Sequence, residues 1–325
     1  MGILKERIKG IAFLLLGSNL RASFRIKRIF KRGFLTILNL HRVQEYDGSS
    51  YSPLEPSIFS ELLSYLKRNF TLTTFANLDE ITAEKNFNKP LLIISFDDGY
   101  KDFIEVAVPL LFEHKIKVNQ NIIPECVESG LPPFNVLVQD FIGKCTEKEL
   151  KSFNLQGFES EENLFNRPLL GLKVSNFLKN KSHADQNIVK EAFMSLLSYM
   201  EDFKSTPMMT LDNIKEIGDL HELGVHSYSH ASMEHESDEY FKKDLVSCQN
   251  WFLEKIEKKA EVYAFPNGSY KNHHIDLALE AGYKHILLVN EGFSSKDKVV
   301  HNRFTFDANS IVEMRFKALG GFSVL

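Results

Sequence analysis

The sequence predicts an α/β fold built on a parallel sheet. Two observations carry this prediction: short, almost wholly apolar segments alternate with helical patterns, and polar residues cluster where those segments stop. Strands buried on both faces read as continuous apolar runs, and their carboxyl ends form a rim on which chemistry can be placed. At 325 residues, 43% hydrophobic and 25% charged, the chain has a globular composition and can bury a large core, as one α/β barrel or as two smaller domains.

Taken in order, residues 1–34 form a basic arm. Lys5, Arg7, Lys9, Arg21, Arg25, Lys27, Arg28, Lys31 and Arg32 stand against Glu6 alone, a local balance of +8 in a chain of net charge -4, which leaves -12 for the rest. That acidic remainder disfavours a nucleic acid partner. Residues 11–16 are an apolar stripe too short to span a bilayer, with no small-residue cleavage site after it. Two readings stay open for the arm: an amphipathic helix lying on an anionic membrane, or a helix packed across one end of the barrel. The expected location is cytoplasmic, with or without membrane association.

Phe34–Leu40 is the first strand and ends at His41-Arg42-Val43. Pro53 and Pro56 mark a loop, and Ser57 opens a helix to residue 67. Residues 72–75 are a short strand, and Leu91–Phe96 is a strand that stops at Asp97-Asp98-Gly99-Tyr100. A helix over 103–113 follows, kinked at Pro109. Residues 118–207 are less regular, punctuated by Pro124, Gly130, Pro132 and Pro133, and read as a mostly helical insertion or cap with a helix over 187–202. Thr210 caps a helix to residue 222 that Gly224 closes, and Val225 begins the segment that delivers His226. A helix over 238–258, a strand over 261–265, a helix over 275–281 capped by Gly282 and a strand over 286–289 complete the pattern. The domain division is therefore an arm, 1–34, and a body, 35–325, carrying the insertion 118–207. Cys126, Cys145 and Cys248 are widely spaced and read as free structural thiols, as in a reducing compartment.

The chemistry lies in Asp97-Asp98-Gly99 and His226-Ser-Tyr-Ser-His230. Neighbouring residues on an extended chain point in different directions, so one carboxylate can bind a cation while the other holds a water beside it. Two histidines four apart reach one side from either one helical turn or a tight loop. Asp98, His226 and His230 then form a two-histidine, one-carboxylate set with open positions. A metal there polarises a carbonyl and acidifies water, and Asp97 takes the proton. There is no Ser or Cys nucleophile motif and no glycine-rich phosphate loop.

Four segments, residues 38–43 (Leu-Asn-Leu-His-Arg-Val), 95–100 (Ser-Phe-Asp-Asp-Gly-Tyr), 226–230 and 263–270 (Tyr-Ala-Phe-Pro-Asn-Gly-Ser-Tyr), resemble the polysaccharide deacetylases, carbohydrate esterase family four. The resemblance implies a distorted (β/α)7 TIM-like barrel and a divalent metal, usually zinc, on Asp98, His226 and His230. It also implies Asp97 as base, an oxyanion site that includes the backbone N–H of Tyr100, and an acetylated glycan as substrate. The leaving group needs a separate acid. His41, at the end of the first strand, holds the place of that acid in the branch that carries it before the Asp-Asp segment, and His301 is the reserve candidate.

The chain departs from the family pattern where Ala264 replaces an arginine two residues before Pro266, so Arg42 or Arg303 must position Asp97. Asn267 stands in a commonly aromatic position, and Phe265 and Tyr270 are candidates for lining the groove. The expected activity is removal of an acetyl group from an N-acetylated sugar. The alternatives are hydrolysis of an O-acetyl ester or other non-peptide amide, and an inactive glycan-binding barrel.

Overall fold

A computed structural model describes residues 19–84, 87–152, 158 and 165–323. The apolar stripe at 11–16 lies outside the described residues. Helix α1 (Asn19–Arg32) leads through Gly33, at φ +65°, into β1 (Phe34–Leu40), with the Gly33 N–H closing the turn onto the Phe30 carbonyl at 3.0 Å. A left-handed residue at this junction is what glycine permits without strain.

Strand β1 pairs in parallel with β3 (Leu91–Phe96), from Leu35 opposite Leu91 to Leu40 opposite Phe96. The two strands therefore end flush, and His41 and Asp97 leave the sheet side by side. From β3 the parallel order continues through β4 (Asn119–Ile122), β5 (Glu222–Val225), β6 (Val262–Ala264) and β7 (His285–Leu287) to β9 (Val300–His301). On the other side of β1 lies β10 (Phe304–Thr305). Only Asn302 and Arg303 separate β9 from β10, so the chain itself crosses the seam of a near-closed barrel. The short β2 (Thr71–Thr73) pairs with β3, and β8 (Ser294–Ser295) runs antiparallel to β1.

Helix α2 (Pro56–Asn69) begins one residue earlier than expected, with Pro56 in its first turn. After α3 (Leu78–Glu84) and β3, the predicted kinked helix is a π-helical turn, Phe103–Ala107, running into α4 (Val108–His114). Pro109 directly follows the π-turn, and that wider turn is where the continuous helix accommodates a residue without an N–H. The segment 118–207, expected to be a mostly helical insertion or cap, opens on β4, a barrel strand between β3 and β5, and helix begins at α5 (Pro124–Ser129). Its sequence, Asn-Gln-Asn-Ile, is polar yet wholly buried, because its side chains bond within the sheet.

Helices α6 (Phe134–Lys144), α7 (Glu147–Ser152), α8 (Arg167–Lys179) and α9 (His183–Leu197) follow. They share a core of their own, including Phe134, Phe141, Leu170, Val174 and Phe193, separate from the barrel core. Thr210 caps α10 (Leu211–Leu220) with a capping box, as expected. Gly224, however, lies inside β5 and caps nothing. A Cβ there would sit 2.2 Å from Asn121 Oδ1, so the glycine admits a neighbouring strand's side chain. Helix α11 (Asp238–Ile256), α12 (Asn272–Glu280), closed by Gly282 at φ +95°, and α13 (Ile311–Ala318) complete the outer layer.

Candidate active site

The candidate site sits where β1, β3, β4, β5 and β6 end. Asp97 follows β3 and is buried, with its N–H on the Leu40 carbonyl at 3.0 Å. Its Oδ1 accepts from Asn121 Nδ2 at 2.8 Å and from Arg303 Nη1 at 2.9 Å, and its Oδ2 accepts from Asn39 Nδ2 at 3.0 Å. Arg303 Nη2 pairs with Oδ2 at 2.9 Å. Burial opposes the charge on Asp97, but Arg303, through its charge and its hydrogen bond, and His226 outweigh it and hold the carboxyl far below the ordinary range. Arg303, wholly buried at the barrel seam, is thus the partner left open between it and Arg42. Arg42 is engaged elsewhere, with Asp102 at 3.0 Å and Asp47 at 3.1 Å.

Asp98 takes a left-handed conformation, φ 76°, ahead of Gly99 at φ 86°. A non-glycine residue there is strained, and the reversal turns its carboxylate away from that of Asp97. The Tyr100 hydroxyl donates to Asp98 Oδ2 at 2.7 Å. Asp98 Oδ1 is buried without any hydrogen-bond partner, 3.5 Å from His226 Nε2 and 3.5 Å from His230 Nε2. An acceptor orphaned between two imidazole nitrogens lacks a positive centre, and a cation supplies one.

The tautomer agrees with this. His226 Nδ1 lies 2.9 Å from the Ala264 carbonyl, which only accepts, so the ring proton sits on Nδ1 and Nε2 keeps its lone pair for a ligand. Burial lowers the pKa of His230 to about 3, with Asp98 opposing the shift, so that ring is neutral and able to ligate. The donor set of two imidazoles and one carboxylate fits a divalent metal.

The histidine pair is carried by a tight loop, not a helical turn, with Ser227 at φ 60° and His230 at φ 59°. Asp244 of α11 holds that loop: its Oδ1 accepts from Ser227 Oγ at 2.8 Å and from the Tyr228 N–H at 2.9 Å, and its Oδ2 accepts from Tyr263 at 3.1 Å. Sequence reasoning missed Asp244, Asn39 and Asn121. Asn39 and Asn121 carried a usable signal, since a polar side chain inside an otherwise buried strand must find a partner.

His41 leaves β1 among the same charges. Burial lowers its pKa, against the pull of Asp98 and Asp97. Its ring stands edge-on to Tyr51, with centroids 6.3 Å apart. His301 is committed elsewhere, to Ser294 Oγ at 2.8 Å and His285 at 3.1 Å. Phe265 does not line the groove: it is fully buried, stacked on Tyr270 and packed against Phe241.

Residues 170–286 match the family model described as Polysaccharide deacetylase. No curated protein sequence matches the chain. Among solved structures, the Streptococcus pyogenes deacetylase PplD in complex with acetate aligns with 16% identity and a TM-score of 0.59, over 88% of this chain and 98% of that one. IcaB from Ammonifex degensii aligns with 15% identity and a TM-score of 0.55, over 88% and 97%. A de-N-acetylase from Aggregatibacter actinomycetemcomitans aligns with 13% identity and a TM-score of 0.54, over 85% and 96%. The chain therefore has an α/β fold whose near-closed barrel resembles the TIM-like barrel of these deacetylases, with an Asp-His-His cluster at the mouth consistent with their chemistry.

Proposed function

We propose that this protein is a metal-dependent hydrolase that removes the acetyl group from an N-acetylated sugar in a glycan. The observation that carries the reading is the orphaned Asp98 Oδ1 between His226 Nε2 and His230 Nε2, next to an Asp97 whose four short contacts, from Asn121, Asn39 and both Arg303 Nη atoms, keep it from joining them as a ligand. Asp98, His226 and His230 would hold the metal, with zinc the best match to their donor atoms. When bound there, a divalent cation supplies Lewis acidity, lowering the pKa of water and drawing charge from the acetyl carbonyl.

The chain's own residues do the rest. Asp97, fixed by Asn39, Asn121 and Arg303, takes a proton from the attacking water. The backbone N–H of Tyr100 steadies the negative oxygen of the tetrahedral stage. His41 hands a proton to the departing nitrogen, the C–N bond breaks, and acetate and a free amine leave. Because burial lowers the pKa of His41, its protonated form is a strong donor once formed.

Family membership and the acetylated glycan are supported by the matched segment, the shared fold and the names of the similar proteins, and the early-histidine branch by the place of His41 at the end of β1 alone. The test is acetate release from N-acetylglucosamine oligomers with and without a chelator. The reading requires release that chelation abolishes and zinc restores; release indifferent to chelation rejects it.

A further inference from the structure

We propose that the end of the barrel opposite the catalytic mouth is a docking face for an anionic lipid bilayer, with α1 as its principal element. Between Asn19 and Arg32 this helix carries six basic residues and no acid, in a chain whose net charge is -4. Its inward face is already occupied: Ala22 and Ile29 are buried, Ile26 is partly buried, and Arg25 donates to the carbonyls of Leu319 and Ser323, each at 2.8 Å.

At roughly 100° per residue, Phe24 projects almost directly away from Ala22, with Arg21, Lys27, Arg28 and Lys31 around it. Phe24 is 68% exposed. A phenylalanine held out among cations has no use in water but suits a headgroup layer, where the charges meet phosphate and the ring enters the acyl boundary. The Arg25 bonds hold residues 319–323 against α1, and among them Phe322 is 77% exposed.

Further lysines, with Glu80 among them, lie around this end. Phe30 meets Phe87 edge-on at 6.4 Å, just ahead of β3. Lys89 reaches the Lys67 carbonyl, and Lys67 reaches the His114 carbonyl beside Lys115 and Lys117. All of these lie at the amino ends of β1, β2, β3 and β4. The site lies at the carboxyl ends, roughly 23 Å away along a seven-residue strand. Docked on this face, the protein turns its mouth away from the lipid surface, toward a glycan reaching it from the aqueous side. The exposed aromatics favour a bilayer over a nucleic acid, which needs the cations but gives Phe24 nothing to enter.

The test is co-sedimentation of the full chain with vesicles of phosphatidylcholine alone and of equal parts phosphatidylcholine and phosphatidylglycerol, at low and high salt. Binding to the anionic vesicles only, reversed by salt, is expected. A triple variant, Arg21→Glu, Lys27→Glu and Lys31→Glu, loses more than about tenfold in affinity. Phe24→Ser loses about threefold or more with every charge kept, and an unchanged unfolding temperature certifies its fold. Equal binding to neutral vesicles, no binding to anionic ones, or binding that survives both sets of substitutions overturns the proposal. So does single-stranded RNA bound more tightly than the anionic vesicles and unaffected by Phe24→Ser.

Discussion

Among the described residues, two clusters bring one aspartate and two histidines together, and they are built in opposite senses. At the barrel mouth, Asp98, His226 and His230 converge; at the junction of α11 and α12, Asp238, His273 and His274 do so. At the mouth the Ala264 carbonyl accepts the Nδ1 proton of His226, so Nε2 faces Asp98 with its lone pair free. At the junction the Lys271 N–H donates to His274 Nδ1 at 3.3 Å, which places the ring proton on Nε2, aimed at Asp238 Oδ1 at 3.3 Å. His273 Nε2 bonds to the same oxygen at 2.8 Å. Asp238 is therefore satisfied by donors, and it pins the first turns of two helices; Asp98 Oδ1 is left without a donor. Nearness of ligand-type residues does not make a metal site. The tautomer and an unsatisfied acceptor do.

The largest expected effect separates the clusters outright. Asp98→Ala should remove bound metal and lower turnover by ~10³-fold or more, the scale of losing a principal catalytic group. Asp238→Ala should leave metal content and turnover within about twofold, as expected of a residue outside the reacting machinery. Metal analysis by mass spectrometry alongside acetate release reads both; equal losses would erase the distinction.

Next, Asp97→Asn should cost about 10² to 10⁴ in kcat with metal content unchanged, as for a lost general base. Metal lost together with activity would make Asp97 a ligand instead. His41→Gln should lower kcat by about 10²-fold, with the cost on kcat and not on KM. Turnover left intact would remove His41 from the mechanism.

A further prediction concerns a histidine outside both clusters. Burial lowers the pKa of His301 to about 3, against an ordinary 6.5, so between those values the folded chain binds fewer protons than the unfolded one. Its contribution is fully present above pH 6.5 and is lost as pH falls toward 3, with a slope of at most about 1.4 kcal/mol per pH unit. His301→Gln should flatten the denaturant-measured stability curve across that window; an unchanged curve contradicts the assignment. The smallest effect belongs to the junction cluster: Asp238→Asn should lower the midpoint of chemical denaturation only slightly, because its bonds to His273 and His274 are made by an exposed carboxylate.

The barrel was legible in the sequence wherever burial and apolar character coincide. Phe34–Leu40 and Leu91–Phe96 are legible to the residue because a parallel strand covered on both faces is apolar over most of its length, with only Thr36, Asn39 and Ser95 interrupting. Asn119–Ile122 is not, since three of its four side chains are polar amides and only Ile122 carries an apolar signal. The Asp and His residues of the mouth stood out as motifs. What orients them did not: Asn39, Asn121, Asp244 and the Ala264 carbonyl act through contacts between residues far apart in sequence, and a backbone carbonyl has no residue type to recognise. Arg303 was one of two candidates because position alone could not tell which arginine the closing seam would deliver.

If tautomer and orphaned oxygen, not composition, set where a cation binds, anomalous diffraction from crystals grown with zinc shows a peak bounded by Asp98 Oδ1, His226 Nε2 and His230 Nε2 and none beside Asp238. A peak among Asp238, His273 and His274 with none at the mouth would contradict it.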